Sequence, residues 1–274
     1  MQTQELTQIA QELRKDILRI SYDARVGHVG SALSIIDILT VLYWKTLKID
    51  PQRLQDPNRD RFLLSKGHAA AALYVALSRR GFFSEAELGT FCGNGSRLGV
   101  HPEDTTLQGV EVATGSLGHG LSVAAGIALA GKLDHAPYRV FTLLSDAECN
   151  EGSIWEAALF APQHQLDNLM VIVDYNQSQA LGRTQDVLNL DPLLDKWRSF
   201  GWEGIELDGH NLSEMETRLS RLPLSPGKPT VFIARTVLGK GISFMENKLD
   251  WHYLTMTEKV YGEALKEIGS SASK

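Results

Sequence analysis

Four short apolar runs constrain this chain more than anything else in it: VFTLL (140–144), LMVIVD (169–174), GIEL (204–207) and TVFIAR (230–235). Runs of this length, rich in β-branched residues and separated by helical or turn-like segments, are the strands of a mostly parallel sheet buried on both faces, and they place the chain in the α/β class with helices flanking the sheet. The first strand ends at Ser145, a helix follows from about Glu151, and the second strand ends at Asp174 to Asn176. That βαβ unit has a right-handed crossover, so both strand ends lie on one edge of the sheet.

The rest of the pattern is helical. Leu6, Ile9, Leu13, Ile17 and Ile20 recur in steps of three and four, the stripe of an amphipathic opening helix. A second helix is expected over about 33–46. It contains the most apolar window, LSIIDILTVLYW, which is short and interrupted by Asp37 and therefore reads as a core helix in preference to a membrane span. A third runs through HAAAALYVALSRR to Gly81, and Ser84 with Glu87 predicts a capping box for a short fourth. From 88 to 112 no period holds, and Gly93, Gly95, Gly99 and Pro102 mark a long loop of the kind that carries function. With no repeat and no low-complexity linker, residues 1–274 read as one domain, with a disordered tail at about 269–274.

Charge and cysteine usage narrow the partners. The net charge of −6 and the lack of any Lys/Arg run argue against nucleic acid and anionic membranes, leaving small molecules and proteins. Cys92 and Cys149 form no CxxC pair, which suits a reducing cytoplasm better than a disulfide framework or a zinc site. The polar start, MQTQELTQIA, is not that of a signal peptide.

The stretch LSDAECNEGSIWEA (144–157) gathers four acids around the turn after the first strand. Asp146 there and Asn176 after the second strand share the carboxyl edge of the sheet, where α/β proteins bind ligands. A carboxylate and an amide oxygen are hard ligands suited to magnesium or calcium, and magnesium completes its shell with water and phosphate oxygens. Half of a metal–diphosphate clamp is one reading; a helix-capping Asp and a turn-forming Asn is the other.

SDAECNEGSIWEA followed by LDNLMVIVDYNQSQ resembles the thiamine diphosphate motif, whose usual opening is GDG. GHVGSALS (27–34), LSKGHAAAALY (64–74), GVHPE (99–103), GVEVATGSLGHGLSVAAGIALA (109–130) and TVLGKGISFMENKLDWH (236–252) follow the order of the transketolase family. The likeness reaches to residue 252 and is closest to the separate amino-terminal subunit of a split transketolase. It implies the family's thiamine diphosphate-binding (PP-type) fold and the clamp reading of Asp146 and Asn176.

On the same basis Asp146, Asn176 and the carbonyl of Ser178 match magnesium ligands, with calcium or manganese able to substitute, and Gly115, Leu117 and Ala147 match positions against the cofactor. His68 and His252 match histidines near the diphosphate. His28 and His101, with His252 as a third catalytic position, match histidines of the substrate channel, where an imidazole bonds sugar hydroxyls and relays protons. Glu151 and Glu156 suit a helix start on their own account; the family implies a coupled carboxylate network between paired active sites. His119, His135, His164 and His210 are read as ordinary surface or core residues.

The departures are informative too. SDA replaces GDG, so Ser145 and Ala147 stand where glycines are usual; His119 stands for a common glutamine; Pro162 is expected to kink its helix; and Tyr253 follows the WH pair in place of glycine, which suggests a specialised donor or acceptor. No segment matches the family's pyrimidine-binding and carboxyl-terminal domains. The expectation is therefore a transferase that moves a two-carbon ketol unit from a ketose (phosphate) to an aldose (phosphate) and works only with a separately encoded partner carrying those domains, as a heterotetramer. The α subunit of a thiamine-dependent 2-oxo acid dehydrogenase and a degenerate, non-catalytic cofactor-binding subunit are the alternatives.

Overall fold

The computed structural model describes residues 2–271. Helix α1 (Thr3–Ala24) leads to α2 (Val29–Val41), which continues as a π turn (Leu42–Thr46). Strand β1 (Arg61–Leu64) precedes α3 (Ala70–Arg79) and the single turn α4 (Glu85–Leu88). After a long loop come α5 (Gly120–Leu133), β2 (Val140–Ser145), α6 (Gly152–Gln163) and β3 (Leu169–Tyr175). A two-residue ribbon, β4 (Ser178–Gln179) with β5 (Gly182–Arg183), is followed by α7 (Thr184–Val187), α8 (Leu193–Ser199), β6 (Glu203–Asp208), α9 (Leu212–Leu219), β7 (Thr230–Arg235) and α10 (Glu258–Ser271).

The sheet runs β1-β2-β3-β7-β6 with every pairing parallel. The period-2 alternation of side chains splits each central strand between two cores. Phe141, Leu143, Met170, Ile172 and Phe232 face the cluster formed with α1, α2 and α3, whereas Val140, Leu144, Val171, Val173, Val231 and Ile233 face the one formed with α5, α6 and α8. Because no central strand has a wet face, the runs are continuously apolar, and this is why they were legible as strands.

Several expectations change. The second helix starts at Val29, four residues earlier than expected, because His28 takes a left-handed backbone (φ 64°, ψ 12°) and stops the chain from entering it sooner. Asp37 does not break this helix; its buried carboxylate is neutralised by Arg14 and bonded to His210. Residues 29–46 form the one helical stretch among those described that is long and apolar enough to cross a membrane, and most of it is buried inside the protein. Strand β1, only four residues at a sheet edge, carries too little signal to be read from its residues. Ser84 caps α4 through the Glu87 amide, but the Glu87 carboxylate turns to Arg97. Pro162 sits in the last turn of α6 and marks its end, and the Ala158 carbonyl it would leave unpaired accepts the Trp202 indole N–H at 2.8 Å. The expected disordered tail is helical through Ser271, since α10 carries residues 269–271; residues 272–274 lie outside those described.

Candidate active site

The carboxyl ends of four neighbouring strands supply the site: Lys66 and His68 after β1, Asp146 after β2, Asn176 and Ser178 after β3, and the loop to His252 after β7. Ser145 pairs with Asp174 in register, and the Asp146 amide donates to the Asp174 carbonyl at 3.1 Å, so Asp146 and Asn176 do meet at one edge. Asp146 is completely buried. Its Oδ1 accepts the Ala147 amide at 2.8 Å, and its Oδ2 accepts the Gln177 amide at 2.8 Å and the Thr184 hydroxyl at 3.1 Å. Burial, and after it the Asp174 charge, push its pKa up to about 7.

Asn176 has its amide orientation fixed. Nδ2 donates to Asp174 Oδ2 at 3.0 Å while Oδ1 accepts the Ser178 amide at 2.9 Å, and the intervening Gln177 (φ 59°) is the residue that binds Asp146. The Asn176–Ser178 turn is thus stapled to Asp146. This donor set fits a hard divalent cation: a buried carboxylate whose ionisation a cation would favour, beside an amide oxygen held outward from Asp174. Among the described residues no group of three or more His, Cys, Asp or Glu side chains is placed to hold a metal, so a cation here needs further oxygens from a ligand or water.

Ser145 and Ala147 do not disturb the turn. Neither has a positive φ, so the freedom of glycine is not needed at either position. They belong instead to a reciprocal capping box that the sequence reading missed although its S-x-x-E signature stands at 145–148. Ser145 Oγ accepts the Glu148 amide at 3.1 Å, and Glu148 Oε2 accepts the Ser145 amide at 3.3 Å. Glu148 Oε1 also accepts the Gly118 amide at 2.8 Å and the Ser65 hydroxyl at 2.5 Å, which ties the acidic turn to the Gly115–His119 loop.

Four imidazoles converge beside this turn. Ring centroids of His28 lie 5.5 Å from His68, 5.4 Å from His252 and 6.3 Å from His101, and His68 is 5.3 Å from His252. Burial lowers the pKa of His28, with His101 adding to the effect; burial and then Lys66 hold His68 well below its usual value; burial and then His28 take His252 down to about 4. These three rings are neutral at pH 7 and can each donate and accept. Nδ1 of His28 and of His252 is buried with no partner among the described residues, an unmet polar capacity that suits a polyhydroxylated ligand. Gly115 (φ 147°) lies against the His101 ring, 3.3 Å from where its Cβ would be, so a side chain there would crowd both the backbone and the ring. A cavity of about 520 Å³ opens beside them, lined by His101, Thr114, Gly115, Ser116 and His119.

Beneath the site lies a pair with no signature in the sequence. Lys66 Nζ and Asp174 Oδ2 are 2.5 Å apart and wholly buried; Asp174 also accepts the Ser34 hydroxyl at 2.7 Å and the Thr236 hydroxyl. Lysine is rarely buried without such a partner. Other expected residues stand apart from the imidazoles. Leu117 is half-buried, and Glu151 and Glu156 are exposed at and near the start of α6, joined to each other by no contact within this chain. Exposed Tyr253 stacks its edge on His252 with centroids 4.9 Å apart. His210, read as ordinary, is bonded to Asp37 at 2.8 Å.

A parallel sheet with these groups at its carboxyl edge is an α/β cofactor-binding domain. A family model described as the thiamine diphosphate binding domain of transketolase matches residues 6–272. One of the two apulose-4-phosphate transketolase chains of Phocaeicola vulgatus is 39% identical over 274 residues, covering 100% of this chain and 97% of that protein. The 6-deoxy-6-sulfo-D-fructose transketolase subunit SqwG of Clostridium sp. (strain MSTE9) is 44% identical over 243 residues, covering 89% of this chain and 88% of that protein. Among solved structures, the transketolase of Leishmania mexicana superposes with a TM-score of 0.90 at 26% identity, and that of Campylobacter jejuni with 0.85 at 32%. The chain covers 42% of the length of each of these two. It belongs to the transketolase family.

Proposed function

We propose that this chain is the amino-terminal subunit of a two-chain transketolase, a single cofactor-binding domain that works in the cytoplasm as a heterotetramer with a separately encoded partner. The stapled pair Asp146 and Asn176 carries this reading, because it offers hard oxygens to a metal–diphosphate at the edge where four imidazoles gather. Asp146, Asn176 Oδ1 and the Ser178 carbonyl hold magnesium, while Gly115, Leu117 and Ala147 border the cofactor and His68 and His252 donate to the diphosphate. Thiamine diphosphate, when bound, supplies the electron sink for cleaving and forming carbon–carbon bonds.

His28, His101 and His252 take the remaining work. Neutral imidazoles bond the hydroxyls of a ketose donor and of an aldose acceptor and move the hydroxyl proton that carbon–carbon cleavage releases. Glu151 and Glu156, exposed in the single chain, face the partnered half of the assembly. Being named for transketolase subunits, the relatives favour ketol transfer over 2-oxo acid dehydrogenation, and the intact Asp146–Asn176 turn favours an active subunit over a degenerate one. Both relatives are named for unusual sugars, and Tyr253 beside His252 fits a donor or acceptor outside the common pentose phosphates.

The test is calorimetric titration of the assembled complex with magnesium and thiamine diphosphate, wild type against Asp146→Ala. The expected result is loss of magnesium-dependent cofactor binding. Equal affinities would sink the clamp. Assaying the chain with and without the candidate partner, with mass followed by light scattering, checks the rest: a lone chain that turns over as fast as the mixture overturns the two-chain reading.

A further inference from the structure

His252 is delivered by the long loop that leaves β7 at Thr236, and three attachments hold that loop. At its far end the His28 amide donates to the His252 carbonyl at 3.2 Å. In the middle the Gly239 amide donates to the Gly30 carbonyl at 3.0 Å; a Cβ at Gly30 would stand 3.1 Å from Leu238, so the two segments touch along their backbones. At the near end the Val237 amide donates to His210 Nε2 at 2.9 Å.

The near end is the unusual one, because a backbone amide is secured by a side chain from another loop. A backbone N–H can only donate, so His210 Nε2 must be unprotonated and its proton must sit on Nδ1. Nδ1 donates that proton to Asp37 Oδ2 at 2.8 Å. The same carboxylate oxygen accepts Arg14 Nη2 at 2.5 Å, and Arg14 Nε donates onward to the Lys240 carbonyl of the same loop at 3.3 Å. One buried carboxylate on α2 therefore governs two loop attachments, at Val237 and at Lys240. The helix that carries it is the one His28 starts. The clamp and the imidazole that His252 must meet are parts of one rigid element.

We propose that Asp37, His210 and Arg14 form a positioning clamp that sets where His252 stands relative to His28, and that turnover depends on it although none of the three reaches the imidazole cluster. The proposal rests on reading His252 as an active-site residue. His210 acts here as an acceptor in one fixed tautomer, and a displacement of about 1 Å in a reacting group can cost about a hundredfold in rate. Arg14, Asp37 and His210 line a cavity of about 460 Å³, so substitutions at 210 have room and are not packing lesions.

The experiment compares His210→Ala, His210→Asn and His210→Gln with wild type and His252→Ala. Amide exchange of segment 236–253 is read by mass spectrometry on the full chain, and kcat, KM and cofactor affinity are read in the complex reconstituted with its partner. Glutamine places Oε1 where Nε2 stood; asparagine keeps a donor for Asp37 but cannot reach Val237. The clamp predicts that the Ala and Asn variants exchange the segment at least about tenfold faster and lose about tenfold in kcat with cofactor affinity unchanged, while Gln restores both. Wild-type exchange and turnover in the Ala variant, or Gln behaving like Asn, overturns it; should the Ala variant fail to fold, the Gln–Asn pair decides alone. A His252→Ala complex with normal turnover would sink the active-site reading itself, whereas an impaired one beside a normal His210→Ala sinks only the clamp.

Discussion

Replacing Asp146 by asparagine should change the sign of its effect on stability between pH 5 and pH 8. In the folded chain this carboxyl ionises at about 7 in place of 3.8, because it is buried and faces Asp174. Between those values the folded state keeps a proton that the unfolded chain has released, so stability falls as pH rises from about 4 to about 7 and is level beyond. At about 1.4 kcal/mol per pH unit the full cost is about 4 kcal/mol. Asp146→Asn is free of that cost. It pays another, since the carboxylate accepts protons on both oxygens, from Ala147 on one side and from Gln177 and Thr184 on the other, and an amide can accept on only one side. A buried donor left unpaired costs about 1–3 kcal/mol at every pH. The variant should therefore be less stable than wild type at pH 5 by about 1–3 kcal/mol and more stable at pH 8 by a similar amount. His28, His68 and His252 have lowered pKa values and contribute stability that is lost as pH falls, but they do so in both proteins and cancel in the difference. Urea denaturation of both proteins in chelator at pH 5, 6, 7 and 8 measures this, and a stability difference that stays constant across the series refutes the reasoning.

Lys66→Met should cost about 3–5 kcal/mol, because it strands the wholly buried Asp174 charge; a denaturation midpoint near that of wild type would contradict it. Ser145→Ala, which removes one half of the capping box, should cost about 1 kcal/mol in the same assay, and no change would mean that the box is redundant. His28→Ala and His101→Ala should lower kcat in the assembled enzyme while calorimetry finds cofactor affinity largely intact; weaker binding with unchanged turnover at saturation would reverse the roles given to them.

The sequence by itself determined what is local or periodic. The four apolar runs were legible because strands covered on both faces leave no polar position to blur them, and the placing of Asp146 and Asn176 on one edge followed from the crossover of a βαβ unit with no further information. His28, His68, His101 and His252 were legible only through short motifs whose order resembles a family; nothing in their spacing brings residues 28, 101 and 252 together. Tertiary structure decided everything that depends on a partner distant in the chain. Asp37 read as a blemish in a helix until Arg14 and His210, 23 and 173 residues away, were seen to neutralise and bond it. Lys66 read as one letter of a motif until Asp174, 108 residues on, was found against it, both side chains wholly buried. Periodicity records which face of an element is dry, whereas the tolerance of a buried charge depends on the single group that meets it, and only the folded chain supplies that group.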